Sequence, residues 1–460
     1  MPDKILLLNP PGKKLYVRDY YCSKISKSNY LFHPVDLLML SGRLAERYEV
    51  RLIDAIADRI DDASCLTMID AISPDVIISL IGAVSLDEDL PFIKRLAKDG
   101  RRIVVSGDIS LENTEKWLDG YPFIDAVILD FTSDDIIHYL KGNHSAISGM
   151  VYRTVKGISK TNPARPKNEA FFLPIPRHDL FSSKNYRFPF VRHKRFATVL
   201  TDYGCPFRCS FCVMSTLGYR YREVENVIEE LKTLKRLGKK EIFFIDQTFG
   251  INKKRILDLC QRMKEEGFNL GWVCYSRVDL VVEEVIKGMK EAGCHTIIFG
   301  VESASEEILK KYQKGYNKTQ IRDAFRLCKK YNIRTVATFI LGLPEETEET
   351  ANETIEFLKE LDCDFASFNV AVPRMNTPLR QKAIREGLIT SDLEIMDQGG
   401  ASIAMPTRHL TMEQVQDLKK KAIRGFYLRP SYLWRRLKGV SSLYELKEQV
   451  SEGLTLLKGI

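Results

Sequence analysis

Three cysteines fall within eight residues in the run Cys205-Pro-Phe-Arg-Cys209-Ser-Phe-Cys212. Thiolates this close can wrap one soft metal centre, and sulfur ligands select zinc or iron–sulfur. A closed zinc site asks for four ligands, usually as two separated pairs. The chain has no second Cys-x-x-Cys: Cys260, Cys274, Cys294, Cys328 and Cys363 each stand alone. Three thiolates on a four-iron cluster leave one iron open, which is an arrangement for chemistry rather than for a structural knot.

The elements that must hold this run follow from the periodicity around it. From Phe196 onward, short apolar strands alternate with amphipathic helices. Strands are expected at Ala197 to Thr201, Glu241 to Asp246, Gly271 to Ser276, Thr296 to Val301, Thr335 to Leu341 and Phe365 to Val372. A helix carrying Val224, Val227, Ile228, Leu231 and Leu234 is stopped by Gly238. Six such repeats suit a partial (β/α)6 barrel of the TIM type, with the cysteine run leaving the carboxyl end of its first strand, where such folds build active sites. Beyond Leu379 the repeat is lost and the pattern turns mainly helical.

An earlier alternation covers the first part of the chain. Strands are expected at Lys4 to Asn9, Val50 to Asp54, Asp75 to Gly82, Arg102 to Gly107 and Asp125 to Asp130, with a helix from Pro34 to Arg47. This is the pattern of a doubly wound parallel sheet, which binds ligands at the carboxyl ends of its strands. The segments to watch are therefore Asn9 to Lys14, Gly82 to Ser85 and Ser106 to Ser110. The expected α/β organisation is a doubly wound domain over 1–148, a linker over 149–194, the partial barrel over 195–378 and a small helical domain over 379–460.

Cys-x3-Cys-x2-Cys with Phe211 before the third cysteine, opening a partial barrel, resembles the signature of the radical S-adenosylmethionine (SAM) superfamily. The resemblance implies a [4Fe-4S] cluster on Cys205, Cys209 and Cys212, with SAM on the open iron and cleaved by one electron to a 5′-deoxyadenosyl radical. It also implies cofactor contacts at successive strand ends. Phe244-Ile-Asp246-Gln247-Thr-Phe249 would approach the SAM amino group. Ser276-Arg277-Val-Asp279 ends the third strand, Gly300-Val-Glu302-Ser303 resembles the ribose-contacting segment, and Phe339-Ile-Leu-Gly342-Leu-Pro344 the turn beside adenine. Carboxylates suit ammonium and hydroxyl groups, and glycine permits close backbone approach. Tyr203, Asn369, Arg374 and Met375 are lining positions by place alone.

A doubly wound domain ahead of such a barrel is similar to the cobalamin-binding subgroup, which includes carbon methylases acting on hopanoids, phosphonates and antibiotics and the anaerobic cyclase of chlorophyll synthesis. That similarity rests on Leu7-Leu8-Asn9-Pro10-Pro11, the Pro34 helix, Leu52-Ile53-Asp54 and Val104-Val105-Ser106-Gly107. It implies cobalamin contacts at Asn9, Pro10, Ser79, Gly82, Ser106 and Gly107. The Asp-x-His-x-x-Gly loop of cobalamin mutases is absent; its place is taken by Arg18-Asp19-Tyr20-Tyr21-Cys22-Ser23. Cys22 is placed to approach a cofactor's lower face, and His33 before Pro34 reads as structural. Transfer-RNA methylthiolation would need three N-terminal cysteines for a second cluster, and Cys22 and Cys65 are the two present.

Composition bounds the rest. With 44% hydrophobic and 28% charged residues the chain reads as globular, and no apolar run approaches the roughly 18 residues of a membrane span. A cytoplasmic address is expected. The excess charge of +8 sits largely in Lys421 to Val440, which carries six basic residues and no acid, so nucleic-acid binding over the whole surface is not expected. Within it, Phe426-Tyr427-Leu-Arg429-Pro430-Ser-Tyr432-Leu-Trp434-Arg435-Arg436 has a composition suited to an anionic membrane surface, or to a helix packed on the barrel. A small-molecule substrate, lipid among the candidates, is expected, and the resemblance implies an electron donor such as flavodoxin or ferredoxin.

Overall fold

The computed structural model describes residues 3–26, 30–97, 100–111, 113–161, 167–391, 397, 403–438, 450 and 453. They form two compact units, one holding the segment up to Ser26 with Leu31–Tyr186, the other Arg187–Leu393 with the described residues from 403 onward.

The first unit is built on a seven-stranded sheet. Its spatial order is Glu49–Asp54, Lys4–Asn9, Val76–Leu80, Arg102–Ser106, Ala126–Ile128, Met150–Thr154 and Gly157–Lys160. The first five are parallel; the inner ones are buried on both faces, as in Val76–Leu80, while the edge strand Glu49–Asp54 exposes Glu49 and Arg51. The last two add antiparallel strands, so the expected all-parallel sheet is a mixed one. For the outermost pair the reason is local: Thr154 and Gly157 are joined by two residues, and a connection that short can only return the chain antiparallel. The segment read as a linker thus contributes two strands to this sheet and holds a third, Lys167–Phe171, and the unit runs on to Tyr186. Leu6, Leu8, Ile77, Ile103, Val105 and Val127 lie in the core under helices such as Asp62–Ile72 and Leu86–Leu96. The order puts a topological switch point between Lys4–Asn9 and Val76–Leu80.

The second unit carries six parallel strands in chain order: Phe196–Val199, Glu241–Phe244, Gly271–Ser276, Cys294–Glu302, Arg334–Leu341 and Phe365–Val370. Among the described residues no pairing joins the first strand to the last, so the sheet is open at both edges. Helix Val224–Arg236 buries Val227, Ile228, Leu231 and Leu234 against it. Helix Met412–Tyr427, opened by a Thr411/Gln414 capping box, sends Val415, Leu418, Ala422 and Phe426 into the same core. The C-terminal helices described here therefore pack as part of this unit; residues 439–449, 451–452 and 454–460 of the expected helical domain lie outside the described residues.

Much of the basic aromatic segment serves folding. Arg435 pairs with Asp362 and donates to the Cys363 carbonyl at 2.8 Å. Arg436 lies 4.3 Å from the Phe365 ring and Arg429 4.7 Å from that of Phe426. Leu433 and Trp434 stay outside, the latter 62% exposed. No helix among the described residues is long and apolar enough to cross a membrane.

Candidate active site

The cysteine run leaves the first strand of the second unit through a short antiparallel hairpin, Asp202–Gly204 against Tyr219–Arg222, which brackets the loop on both sides. Gly204 makes this closure feasible. Its φ is +77°, and a Cβ there would sit 2.0 Å from the Gly218 carbonyl oxygen. Cys205 N donates to that same carbonyl at 2.9 Å, and Cys212 N to Cys209 O at 3.0 Å. Ser210 is tied on both sides, its N–H to Tyr312 O and its carbonyl to Leu379 N. Cys209 is buried, and Cys205 and Cys212 are half-buried.

Desolvation and the two neighbouring thiols push Cys212 up to about 12, and burial raises Cys205 as well. Thiolates in this loop therefore need a cation to hold them deprotonated. Among the described residues no group of three or more His, Cys, Asp or Glu side chains is arranged to hold a single metal ion. Three thiol donors on one loop are the ligand set of a cluster that leaves one iron open. Two of the sulfurs already face hydrogen-bonding groups, as cluster thiolates require. Thr248 Oγ1 lies 3.5 Å from Cys205 Sγ, and Arg277 Nη1 lies 3.6 Å from Cys209 Sγ.

Arg277 is thus brought to the cysteines, as its place at the third strand's end implied. Asp279 holds it in a fork at 3.0 and 2.9 Å, and its Nη2 also donates to Lys314 O at 2.5 Å. Ser276 Oγ donates to Phe249 O at 2.9 Å. Glu302, at the end of the fourth strand, has φ of +65° where the register slips, a costly conformation for a side chain larger than glycine. Its carboxylate accepts from Lys314 Nζ at 2.9 Å. Gly300 leaves the room: a Cβ there would lie 2.4 Å from Glu302 Oε1 and 3.2 Å from Lys314 Nζ.

Lys314 was not foreseen. It is 6% exposed, and its ammonium lies 5.6 Å from the Phe211 ring beside the third cysteine. Burial pulls its pKa down, but Glu302, Tyr316 and Cys209 more than reverse this, so the net shift is upward. It stands alone in a loop, where sequence periodicity carries no information. Thr248 was legible in principle, since it belongs to the quoted Asp246-to-Phe249 segment.

Asp246 takes a different part from the one expected. It is fully buried and spends both oxygens on the hairpin's root, accepting from Thr201 N at 2.6 Å, Asp202 N at 3.0 Å and Thr201 Oγ1 at 2.5 Å. Burial and the neighbouring Asp202 push it up to about 7. It braces the loop. Gln247 beside it is half-buried. Ser303 likewise turns inward: its Oγ accepts from Ser305 N at 3.1 Å and lies 3.3 Å from Thr354 Oγ1. Gly342 keeps the role of a tight turn, with φ of +86° and its N–H 2.5 Å from Glu346 Oε2.

In the first unit the six expected cofactor contacts are all buried, and the switch point is filled from within. Arg18, wholly enclosed with Asp89 at 2.7 Å, donates to Asn9 Oδ1 at 2.9 Å, Pro10 O at 2.8 Å and Ser85 Oγ at 3.0 Å. Gly82 N donates to Asp89 Oδ2 at 2.9 Å. Ser106 Oγ donates to Asp36 Oδ2 at 2.6 Å, and Ser79 Oγ to Leu80 O at 3.1 Å. Gly107 is packed on the Ile81 carbonyl, 1.7 Å from where a Cβ would be. These six residues stand at the carboxyl ends of the strands with their polar atoms bonded within the chain. The signal for this was Arg18, a lone arginine whose partner lies 71 residues away.

Comparison with known proteins agrees with this geometry. Residues 199–358 match the family model described as the Radical SAM superfamily. A protein of Pyrococcus horikoshii described as an uncharacterized methyltransferase is 36% identical over 413 residues, covering 87% of this chain and 89% of that one. The anaerobic magnesium-protoporphyrin IX monomethyl ester cyclase of Cereibacter sphaeroides is 24% identical over 410 residues, 84% of this chain and 66% of that enzyme. The solved structure of the radical SAM methyltransferase TsrM from Kitasatospora setae, with cobalamin and a [4Fe-4S] cluster bound, superposes with a TM-score of 0.67 over 94% of this chain and 90% of that one. At 17% identity this likeness is one of fold. With its three cysteines braced at the end of the first strand, the chain belongs to the radical SAM superfamily.

Proposed function

We propose that the chain is a cobalamin-dependent radical SAM enzyme that modifies an unactivated carbon, by methyl transfer. The observation that carries the reading is the hairpin-braced loop bringing Cys205, Cys209 and Cys212 to one strand end, with Thr248 and Arg277 facing two of the sulfurs. When bound there, a [4Fe-4S] cluster supplies an open iron for the amino and carboxylate groups of SAM and the electron that cleaves it. The chain's own residues do the positioning. Asp246 and Gly204 fix the loop's root, Arg277 and Thr248 hold two sulfurs, and the Glu302–Lys314 pair sets charge beside Phe211.

Cobalamin would be held by the first unit, on the fold that the chain shares with the cobalamin-bound TsrM structure. The methyltransferase description of the Pyrococcus horikoshii relative supports methyl transfer. The similarity to the anaerobic cyclase supports the second reading, in which the same radical start ends in ring closure or oxidation on a tetrapyrrole, lipid or isoprenoid. SAM with a deuterated methyl group separates the two: labelled product supports methyl transfer, and product without label removes it. The absorption spectrum of protein produced with cobalamin supplied reports on the corrinoid directly. A flavodoxin or ferredoxin is the proposed electron donor. Leu433 and Trp434 are the proposed contact with a lipid surface, to be read by vesicle co-sedimentation of W434A against the parent.

A further inference from the structure

We infer that Arg277 is a positioning residue that sets the reduction potential of the cluster through Cys209. The inference rests on the cluster reading above and deepens it. Arg277 is 5% exposed, and every contact around it limits its freedom. Its Nε and Nη2 are forked onto Asp279 at 3.0 and 2.9 Å, and Nη2 is shared with Lys314 O at 2.5 Å. The guanidinium carbon lies 3.7 Å from the centre of the Phe207 ring, itself part of the cysteine loop, and 5.1 Å from that of Tyr316. These contacts fix the plane and direct Nη1 at Cys209 Sγ, 3.6 Å away.

The consequence is electrostatic. Reducing the cluster adds one negative charge that its thiolates share. A cationic N–H aimed at one of those sulfurs stabilises the reduced state more than the oxidised one, which raises the potential. Lysine would keep the charge but lose the planar fork that Asp279 and Phe207 hold. A purely structural arginine would leave the potential where it is.

The test is an anaerobic redox titration of the reconstituted holoenzyme, followed by the electron paramagnetic resonance of the reduced cluster. Iron content is read first, so that a parent protein with no cluster refutes the cluster reading itself, and this inference with it. In R277M the cluster is expected to be harder to reduce by about tenfold in its reduction equilibrium, close to 59 mV for one electron. R277K is expected to fall between R277M and the parent. An unchanged midpoint in an R277M protein that keeps its iron overturns the inference and leaves the cluster reading standing. If R277M cannot retain iron, R277K decides alone: a midpoint equal to the parent's, or a more positive one, overturns the proposal.

Discussion

Arg18 and Asp89 are wholly enclosed, and their 2.7 Å contact is surrounded by polar groups of the same strand-end loops. Removing one partner leaves the other charge buried and unpaired, which costs about 3–5 kcal/mol. R18M or D89L alone should therefore lower the stability of the first unit by that order in denaturant unfolding. The double variant R18M/D89L should recover part of the loss, and additive losses would contradict the account. Glu346 is a different buried acid. Burial raises it to about 8 in the fold from an ordinary 4.5, although its Oε2 accepts from Gly342 N. A carboxyl whose folded pKa is raised contributes stability below its unfolded pKa and loses it as pH rises through the folded one. The second unit should thus lose thermal stability between pH 4.5 and about 8. E346Q should flatten that slope, and an identical slope in E346Q would show that Glu346 is not its source.

The hairpin that carries the cysteine loop was not legible, because strands of three and four residues leave no usable periodicity. What could be read was the spacing of the thiols and the six strands of the sheet, where runs of buried apolar residues leave little choice of state even in a strand of four. Asp246 shows the limit of reading by position: a carboxylate at a strand end can face a ligand or its own backbone, and only Thr201 and Asp202 opposite it decide. The mixed edge of the first sheet was legible in part: Met150–Thr154 could be read as a short strand, but the prolines and charges that follow made the rest of the stretch resemble a connection. The network that ties Asn9, Pro10 and Gly82 to Arg18 and Asp89 was not legible either, since no local pattern reveals a partner 71 residues away. G204A, with φ of +77° and a Cβ 2.0 Å from Gly218 O, is expected not to close the hairpin. Reconstituted G204A should hold well under half the parent's iron while its circular dichroism stays near the parent's. Full iron loading would contradict the role given to the hairpin.

For the whole molecule, two α/β units are joined in one chain, and the likeness of fold to the TsrM structure extends over 94% of it. The second unit supplies what the radical start requires: three thiols on one braced loop, donors on two sulfurs, and a buried ion pair beside Phe211. The most direct measurement is SAM cleavage by protein reconstituted with iron and sulfide under nitrogen and reduced with dithionite, compared with C205A, C209A and C212A. The parent should carry about four irons and release 5′-deoxyadenosine, and each cysteine variant should lose at least 100-fold of that release, on the order of 3 kcal/mol of barrier. Undiminished 5′-deoxyadenosine from C209A, or none from a parent that holds its full complement of iron, would contradict the assignment.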